Sequence, residues 1–224
     1  MKNVKVIVFD VGNTLIDTKT SCKMSVKLLN DLHLLKNKGY IIGVSTLRNE
    51  EMIKPIIEDF KFDFLVLMNG SLVKINNIII SSNPLNKNIV ENIFQTCKGL
   101  EIGVKVYLHN DIVYALKLIN AKGKFIPQSD YQYYIWEHSG DIDITSKGVD
   151  KTYGIEVVCN NFGVNLSEVL AFGDGYNDLD LFRNVGYSVA MGDCPKELSM
   201  LADFTTYTAK KNGISYALRE IGIL

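Results

Sequence analysis

Two short apolar runs, one near each end of the chain, stop on an aspartate and break into glycine and asparagine. Val4-Lys5-Val6-Ile7-Val8-Phe9 lands on Asp10 and opens into Val11-Gly12-Asn13-Thr14; Val169-Leu170-Ala171-Phe172 lands on Gly173-Asp174 and opens into Gly175-Tyr176-Asn177-Asp178. Short β-branched runs of this kind predict strands buried on both faces of a parallel sheet. In such sheets ligands sit in the crevice beyond the carboxyl ends of the strands. Aspartates at two strand ends are therefore candidates to meet in space, and such a pair suggests a metal and phosphate site.

Between these runs the pattern alternates. Val26, Leu29, Leu32, Leu34 and Leu35 recur at mostly helical spacing within residues 21–38, and Gly39 follows as a stop. Residues 40–45 predict a second strand ending on Thr46, residues 49–60 a helix that Pro55 kinks or shortens, and residues 64–68 a third strand. This βαβ rhythm predicts an α/β fold on a parallel sheet. At Asn69-Gly70 the rhythm changes. Residues 72–75 and 78–80 flank Asn76-Asn77 as a β-hairpin, a helix follows over about 86–98, and strand-like pieces lie at 104–108, 112–118 and 131–136. Near Lys151 the first rhythm resumes, with a helix to Cys159, the strand at Val169, and short strands near 187–190 and 204–205. The chain thus divides into a core of residues 1–68 and 147–224 and an inserted module of residues 69–146.

Composition narrows the class. At 224 residues, 47% of them hydrophobic, the chain has enough apolar material for a core domain with an insertion. Lys plus Arg number 24 and Asp plus Glu 25, for a net charge of -1. Such a balance lacks the basic face of a nucleic-acid binder. No run approaches the roughly 20 apolar residues of a membrane span, and no export signal is visible. A soluble protein is expected, with no evident protein partner. Cys22, Cys97, Cys159 and Cys194 are scattered without metal-site spacing and read as reduced thiols of a cytoplasmic protein. His33, His109 and His138 fall outside every motif.

Four segments carry the chemistry, in order: Asp10-Val11-Gly12-Asn13-Thr14, Ser45-Thr46-Leu47-Arg48, Lys147-Gly148-Val149-Asp150-Lys151, and Gly173-Asp174-Gly175-Tyr176-Asn177-Asp178. Singly, each has an ordinary structural reading: Asp10 as a turn or capping residue, Thr46 as an N-cap, Lys151 as a solvated helix-start lysine, Asp174-Gly175 as a turn. Together, with Asn69-Gly70 ahead of the insertion and Ala190-Met191-Gly192-Asp193 after the last motif, they resemble the haloacid dehalogenase (HAD) superfamily. The resemblance is to its Cof-type (class IIB) sugar-phosphatase-like hydrolases and covers nearly the whole chain. It implies a doubly wound, Rossmann-like α/β core with the insertion as a mobile α/β cap. It also implies a Mg2+-dependent phosphatase of a small phosphorylated metabolite, such as a sugar phosphate.

The resemblance, together with the chemistry of each side chain, suggests roles. Asp10 would be the nucleophile, forming an acyl phosphate. Mg2+, which favours oxygen donors, would be held by Asp10, the backbone carbonyl of Gly12 and Asp174, with Asp178 binding through water or steadying the shell. The Thr46 hydroxyl, the Leu47 N–H, Lys151 and the Asn177 amide would hold phosphoryl oxygens. Two positions depart from the family pattern. Leu47 replaces a usual glycine between Thr46 and Arg48, and Gly12 replaces a second aspartate that protonates the leaving group. Glycine still offers its carbonyl to a metal but transfers no proton, a loss of about 10²–10⁴-fold where an acid is needed. Three readings stay open: a slow or leaving-group-selective phosphatase, a proton from elsewhere (His109, His138 or the substrate), or a non-catalytic sensor that binds Mg2+ and a phosphorylated metabolite. Tyr133, Tyr134 and Trp136 are expected to pack on the cap sheet, and Asp17 and Asp180 to be solvated or capping carboxylates.

Overall fold

The computed structural model describes residues 3–224, so residues 1 and 2 of the expected core range lie outside it. In chain order the elements are β1 (Val6–Phe9), α1 (Val26–Asn37), β2 (Ile41–Ser45), α2 (Lys54–Asp59), β3 (Phe64–Leu67), β4 (Leu72–Ile75), β5 (Ile78–Ser82), α3 (Lys87–Gly99), β6 (Gly103–His109), β7 (Ile112–Ile119), β8 (Tyr131–Trp136), β9 (Asp141–Ser146), α4 (Lys151–Phe162), β10 (Val169–Gly173), α5 (Leu179–Asn184), β11 (Tyr187–Ala190), α6 (Lys196–Leu201), β12 (Phe204–Thr205) and α7 (Gly213–Glu220).

Eight strands form one sheet in the order β12-β11-β10-β1-β2-β3-β4-β5. All neighbours from β12 to β3 pair parallel; β4 and β5 add antiparallel at the edge. Side chains alternate along β1, and the alternation builds two cores. Ile7 and Phe9 pack with Leu32 and Leu35 of α1 and Ala217 and Leu218 of α7 on one face. Val6 and Val8 pack with Ile155 and Val158 of α4 and Leu181 of α5 on the other. From β1 the chain winds outward to β2 and β3 in one direction and later to β11 and β12 in the other. The strand order thus reverses between β1 and β10, and the crevice of a doubly wound sheet opens beyond the ends of those two strands.

A second, antiparallel sheet of order β6-β7-β9-β8 comes from the insertion. Leu116, Leu118, Ile142 and Ile144 cover one of its faces and pack against Val90, Ile93 and Cys97 of α3. By the two-residue period of strands, Lys117, Asp143, Tyr134 and Trp136 lie on the other face.

The sheet pairing differs from the expected division at residue 69. The hairpin β4–β5 extends the first sheet, with Phe64 opposite Ile75 and Leu67 opposite Leu72. The cause is the turn Met68-Asn69-Gly70, whose three residues have φ of 50, 53 and 93° and fold β4 back along β3. The Asn76-Asn77 turn of the hairpin has the positive φ expected of it, 49 and 66°. Pro55 falls in the first turn of α2, where its missing N–H costs nothing, and the helix begins there. Strand β9 and the short helices α5, α6 and α7 are absent from the sequence expectation. No helix among the described residues is long and apolar enough to cross a membrane.

Candidate active site

Asp10 follows directly on β1, and its N–H donates to the Phe172 carbonyl of β10 at 2.9 Å. Because paired strands run about 4.8 Å apart, the turns that follow β1 and β10 lie side by side. Side chains join them: Asn13 Nδ2 donates to Asp174 Oδ2 at 3.3 Å and Thr14 Oγ1 to Asp174 Oδ1 at 3.2 Å. The last residue of β10 must be small, since a β carbon on Gly173 would lie 2.5 Å from the Asp178 carboxylate. That carboxylate folds back on its own turn, where Oδ2 accepts the N–H groups of Asp174 (3.1 Å) and Gly175 (3.0 Å).

Lys151 enters from the opposite wall as the first residue of α4, which Asp150 caps by accepting the Tyr153 N–H at 2.8 Å. Its ammonium donates to Asp10 Oδ1 at 2.7 Å and Asp178 Oδ1 at 2.6 Å, with the lysine 1% exposed. Burial alone would lower the Lys151 pKa, but the two carboxylates outweigh it and raise it above the ordinary lysine value, so the group stays charged. Asp174 has no such cation of its own. Burial, then the facing charges of Asp10 and Asp178, push its pKa well above the ordinary carboxylate value.

Thr46 and Asn177 complete the recess. Thr46 is buried at the end of β2, and its Oγ1 accepts the Arg48 N–H at 3.3 Å, which leaves its own proton to donate. Asn177 Nδ2 donates to Asn69 Oδ1 at 2.8 Å, and Asn69 Nδ2 is buried without an acceptor. Leu47 is half-buried and packs against the core beneath the site.

The donor set fits a hard divalent cation. Among the described residues no three His, Cys, Asp or Glu side chains are placed to hold an ion by themselves. Mg2+ typically takes only one or two carboxylates, together with waters and substrate phosphate. Asp10 and Asp174, the second without an ion-paired cation of its own, meet that requirement. Both oxygens of Asp178 already accept hydrogen bonds, so its part in an ion's shell would run through water or through Lys151.

Several participants are not evident in the motifs alone. Asn13 and Thr14 tie the two aspartate loops together, and Asn69 sits against Asn177. Trp136 does more than pack on the cap sheet. Its Nε1 donates to Asp143 Oδ2 at 2.7 Å, and its ring reaches the core, 6.1 Å from the Tyr176 ring and edge-on to it. Tyr134 Oη donates to Asp180 Oδ2 at 3.1 Å, a cap–core contact beyond the solvated or capping role expected of Asp180. Tyr133 remains exposed. The Asp17 carboxylate bonds within its own turn, accepting from the Lys19 N–H and the Thr20 hydroxyl. His109 is half-buried beside Tyr114, and His138 is exposed 6.0 Å from Tyr176.

Comparison with known proteins places this geometry. The family model of haloacid dehalogenase-like hydrolases matches residues 7–135 and 117–218. The Bacillus subtilis (strain 168) protein named "Putative phosphatase YkrA" is 26% identical, over 98% of this chain and 98% of its own length. A solved HAD subclass IIB sugar phosphatase superposes with a TM-score of 0.87 at 21% identity, covering 99% of this chain and 100% of that one. A solved HAD phosphatase from Bacteroides thetaiotaomicron gives 0.88 at 21% identity, covering 99% and 96%. The chain belongs to the haloacid dehalogenase-like hydrolases.

Proposed function

We propose that the chain is a Mg2+-dependent phosphatase of a small phosphorylated metabolite, working through an aspartyl phosphate on Asp10. The observation that carries this reading is the buried Lys151 bridge between Asp10 and Asp178, beside an Asp174 tied to the Asp10 loop. The names of similar proteins, phosphatases among them, agree with it.

Each residue has a task that follows from its contacts. Phosphoryl transfer is mainly placement and neutralisation of charge. Lys151 aims Asp10 by holding one of its oxygens, which leaves the other for attack on phosphorus. Thr46 and the amides of Asn177 and Asn69 offer hydrogen-bond donors to the phosphoryl oxygens. Asp178 fixes the turn that presents Asp174. Mg2+, when bound by Asp10, Asp174 and the Gly12 carbonyl, would neutralise the phosphate facing these carboxylates. The cap face carrying Trp136 and Tyr134 closes over the recess and excludes water.

The test is release of inorganic phosphate from p-nitrophenyl phosphate by the purified protein. Turnover is expected to need Mg2+ and to vanish in Asp10→Asn. One observation, Gly12, favours a second reading as a non-catalytic binding module. Tight binding of phosphate esters with no phosphate release would select it over the first.

A further inference from the structure

The guanidinium of Arg48 stands where the missing proton donor would project. A β carbon built on Gly12 would lie 3.4 Å from Arg48 Nη2, with ordinary room around it, so any side chain at position 12 would point at that cation. The Arg48 backbone is fixed on both sides: its N–H donates to Thr46 Oγ1 (3.3 Å) and its carbonyl accepts from the Met68 N–H (3.2 Å). The chain has two other arginines, Arg183 and Arg219, and both are ion-paired, to Asp180 and Asp31. Arg48, half-buried, has no carboxylate within 4.0 Å among the described residues. A cation with five donors is thus held uncommitted next to the strand end that carries the nucleophile.

We propose that Arg48 takes up negative charge on the leaving oxygen in place of a proton donor, so that the substrates are phosphates with acidic leaving groups: acyl, enol or aryl phosphates rather than phosphates of sugar alcohols. The inference rests on the phosphatase reading and narrows its substrate class. In the first step an Asp10 oxygen bonds to phosphorus as the bond from phosphorus to the leaving oxygen breaks. The electron pair stays on that oxygen, which departs as a carboxylate, enolate or phenolate against the guanidinium. No proton moves, and arginine has none to give near neutral pH. In the second step water attacks phosphorus, and the products are the Asp10 carboxylate and dihydrogen phosphate.

The experiment compares kcat/KM for acetyl phosphate, a series from p-nitrophenyl to phenyl phosphate, and glycerol 3-phosphate, in the wild type, Arg48→Gln and Arg48→Lys. The wild-type rate is expected to fall steeply with the basicity of the leaving group. Removing one donor to a developing oxyanion costs about 10²–10³-fold. Arg48→Gln should lose about that much on phenyl phosphate and progressively less toward p-nitrophenyl and acetyl phosphate, with Arg48→Lys recovering part. An equal loss across the series would assign Arg48 to the phosphoryl group and overturn the proposal. Equal wild-type rates on glycerol 3-phosphate and acetyl phosphate would do the same. If the Arg48 variants fail to fold, Gly12→Asp serves: it pairs with Arg48 and supplies an acid, and must raise the ratio of glycerol 3-phosphate to acetyl phosphate turnover. An unchanged ratio refutes the proposal. Absence of Asp10-dependent turnover on every ester would sink the phosphatase reading itself, a result distinct from all of these.

Discussion

At the scale of single residues, the site holds three clustered carboxylates and one buried cation, and the imbalance falls on Asp174. Its folded-state pKa lies above the 3.8 of a free carboxyl because burial, Asp10 and Asp178 all disfavour its charge. As pH rises past 3.8 the unfolded chain releases this proton first, so stability contributed by the protonated form is lost until the folded group also ionises. At neutral pH, without metal, Asp174 therefore works against folding. Asp174→Asn should raise the melting temperature of the metal-free protein in EDTA, by about 2–4 °C per kcal/mol relieved, while activity disappears. Mg2+ should stabilise the wild type and leave the variant nearly unmoved. A variant that melts no higher than wild type in EDTA would mean that Asn13 and Thr14 already neutralise the group. The positions of Asp10, Lys151, Asp174 and Asp178 are legible in the sequence because strand-end motifs bring their own location with them. Asn69 and Arg48 also stand in or beside those motifs, but their contacts are not legible there, since what each touches depends on where a different loop ends.

At the scale of elements, the placement of Lys151 depends on how closely α4 approaches the turn between β3 and β4. A β carbon on Gly70 would lie 1.9 Å from the Asp150 carbonyl, and Gly70 has φ of 93°. Gly39, after α1, has a similar φ of 87° with nothing within 4 Å of its β position. The two glycines separate backbone strain from crowding. Gly39→Ala should cost about 1–2 kcal/mol, the penalty of a left-handed residue, with kcat unchanged. Gly70→Ala should cost about 4 kcal/mol or more and lower kcat, because the start of α4 must shift and take Lys151 with it. Equal costs for the two in urea unfolding would remove crowding from the account. The long elements are legible because their periods are: α1 and α3 show helical spacing, and the β4–β5 hairpin shows its Asn-Asn turn. What periodicity omits is partnership, and the hairpin's place in the large sheet follows from the turn at Met68-Asn69-Gly70 rather than from its own pattern. Strand β9 does alternate, but Asp141 and Asp143 are poor strand formers whose presence reflects the polar face over the site. Helices α5, α6 and α7, of 6 to 8 residues, are shorter than the window in which a helical period can be read.

At the scale of the whole molecule, the cap meets the core through apolar packing of Tyr107, Tyr114 and Ala115 and through polar and aromatic contacts, and one of these contacts carries a built-in reporter. Trp136 is the chain's single tryptophan. Its ring comes within 2.7 Å of the point where a β carbon on Gly175 would lie, a close fit that only glycine at 175 permits. Beside it, Tyr134 donates to Asp180 on the core, and the Lys117 ammonium lies 4.7 Å from the Trp136 ring centre within the cap. Behind them, Ser146 Oγ donates to the Pro84 carbonyl at 2.8 Å and links the two strands of chain that join cap to core. Opening the cap about this link would draw Trp136 off Tyr176 into water while leaving Lys117 in place over the ring. Emission should then shift to longer wavelength, and acrylamide should quench it more strongly. The Tyr134–Asp180 hydrogen bond contributes about 0.5–1.5 kcal/mol to the closed form, up to roughly tenfold in the closed-to-open ratio. Tyr134→Phe should therefore increase quenching in the free protein. Phosphate with Mg2+ should reduce quenching in both proteins by favouring closure. The variant's kcat/KM for p-nitrophenyl phosphate should fall by no more than the same factor, since Tyr134 acts on the population of closed molecules and touches no reacting atom. Quenching that is indifferent to both the variant and the ligand would mean that the cap does not open at this contact, and that substrate reaches Asp10 by another route.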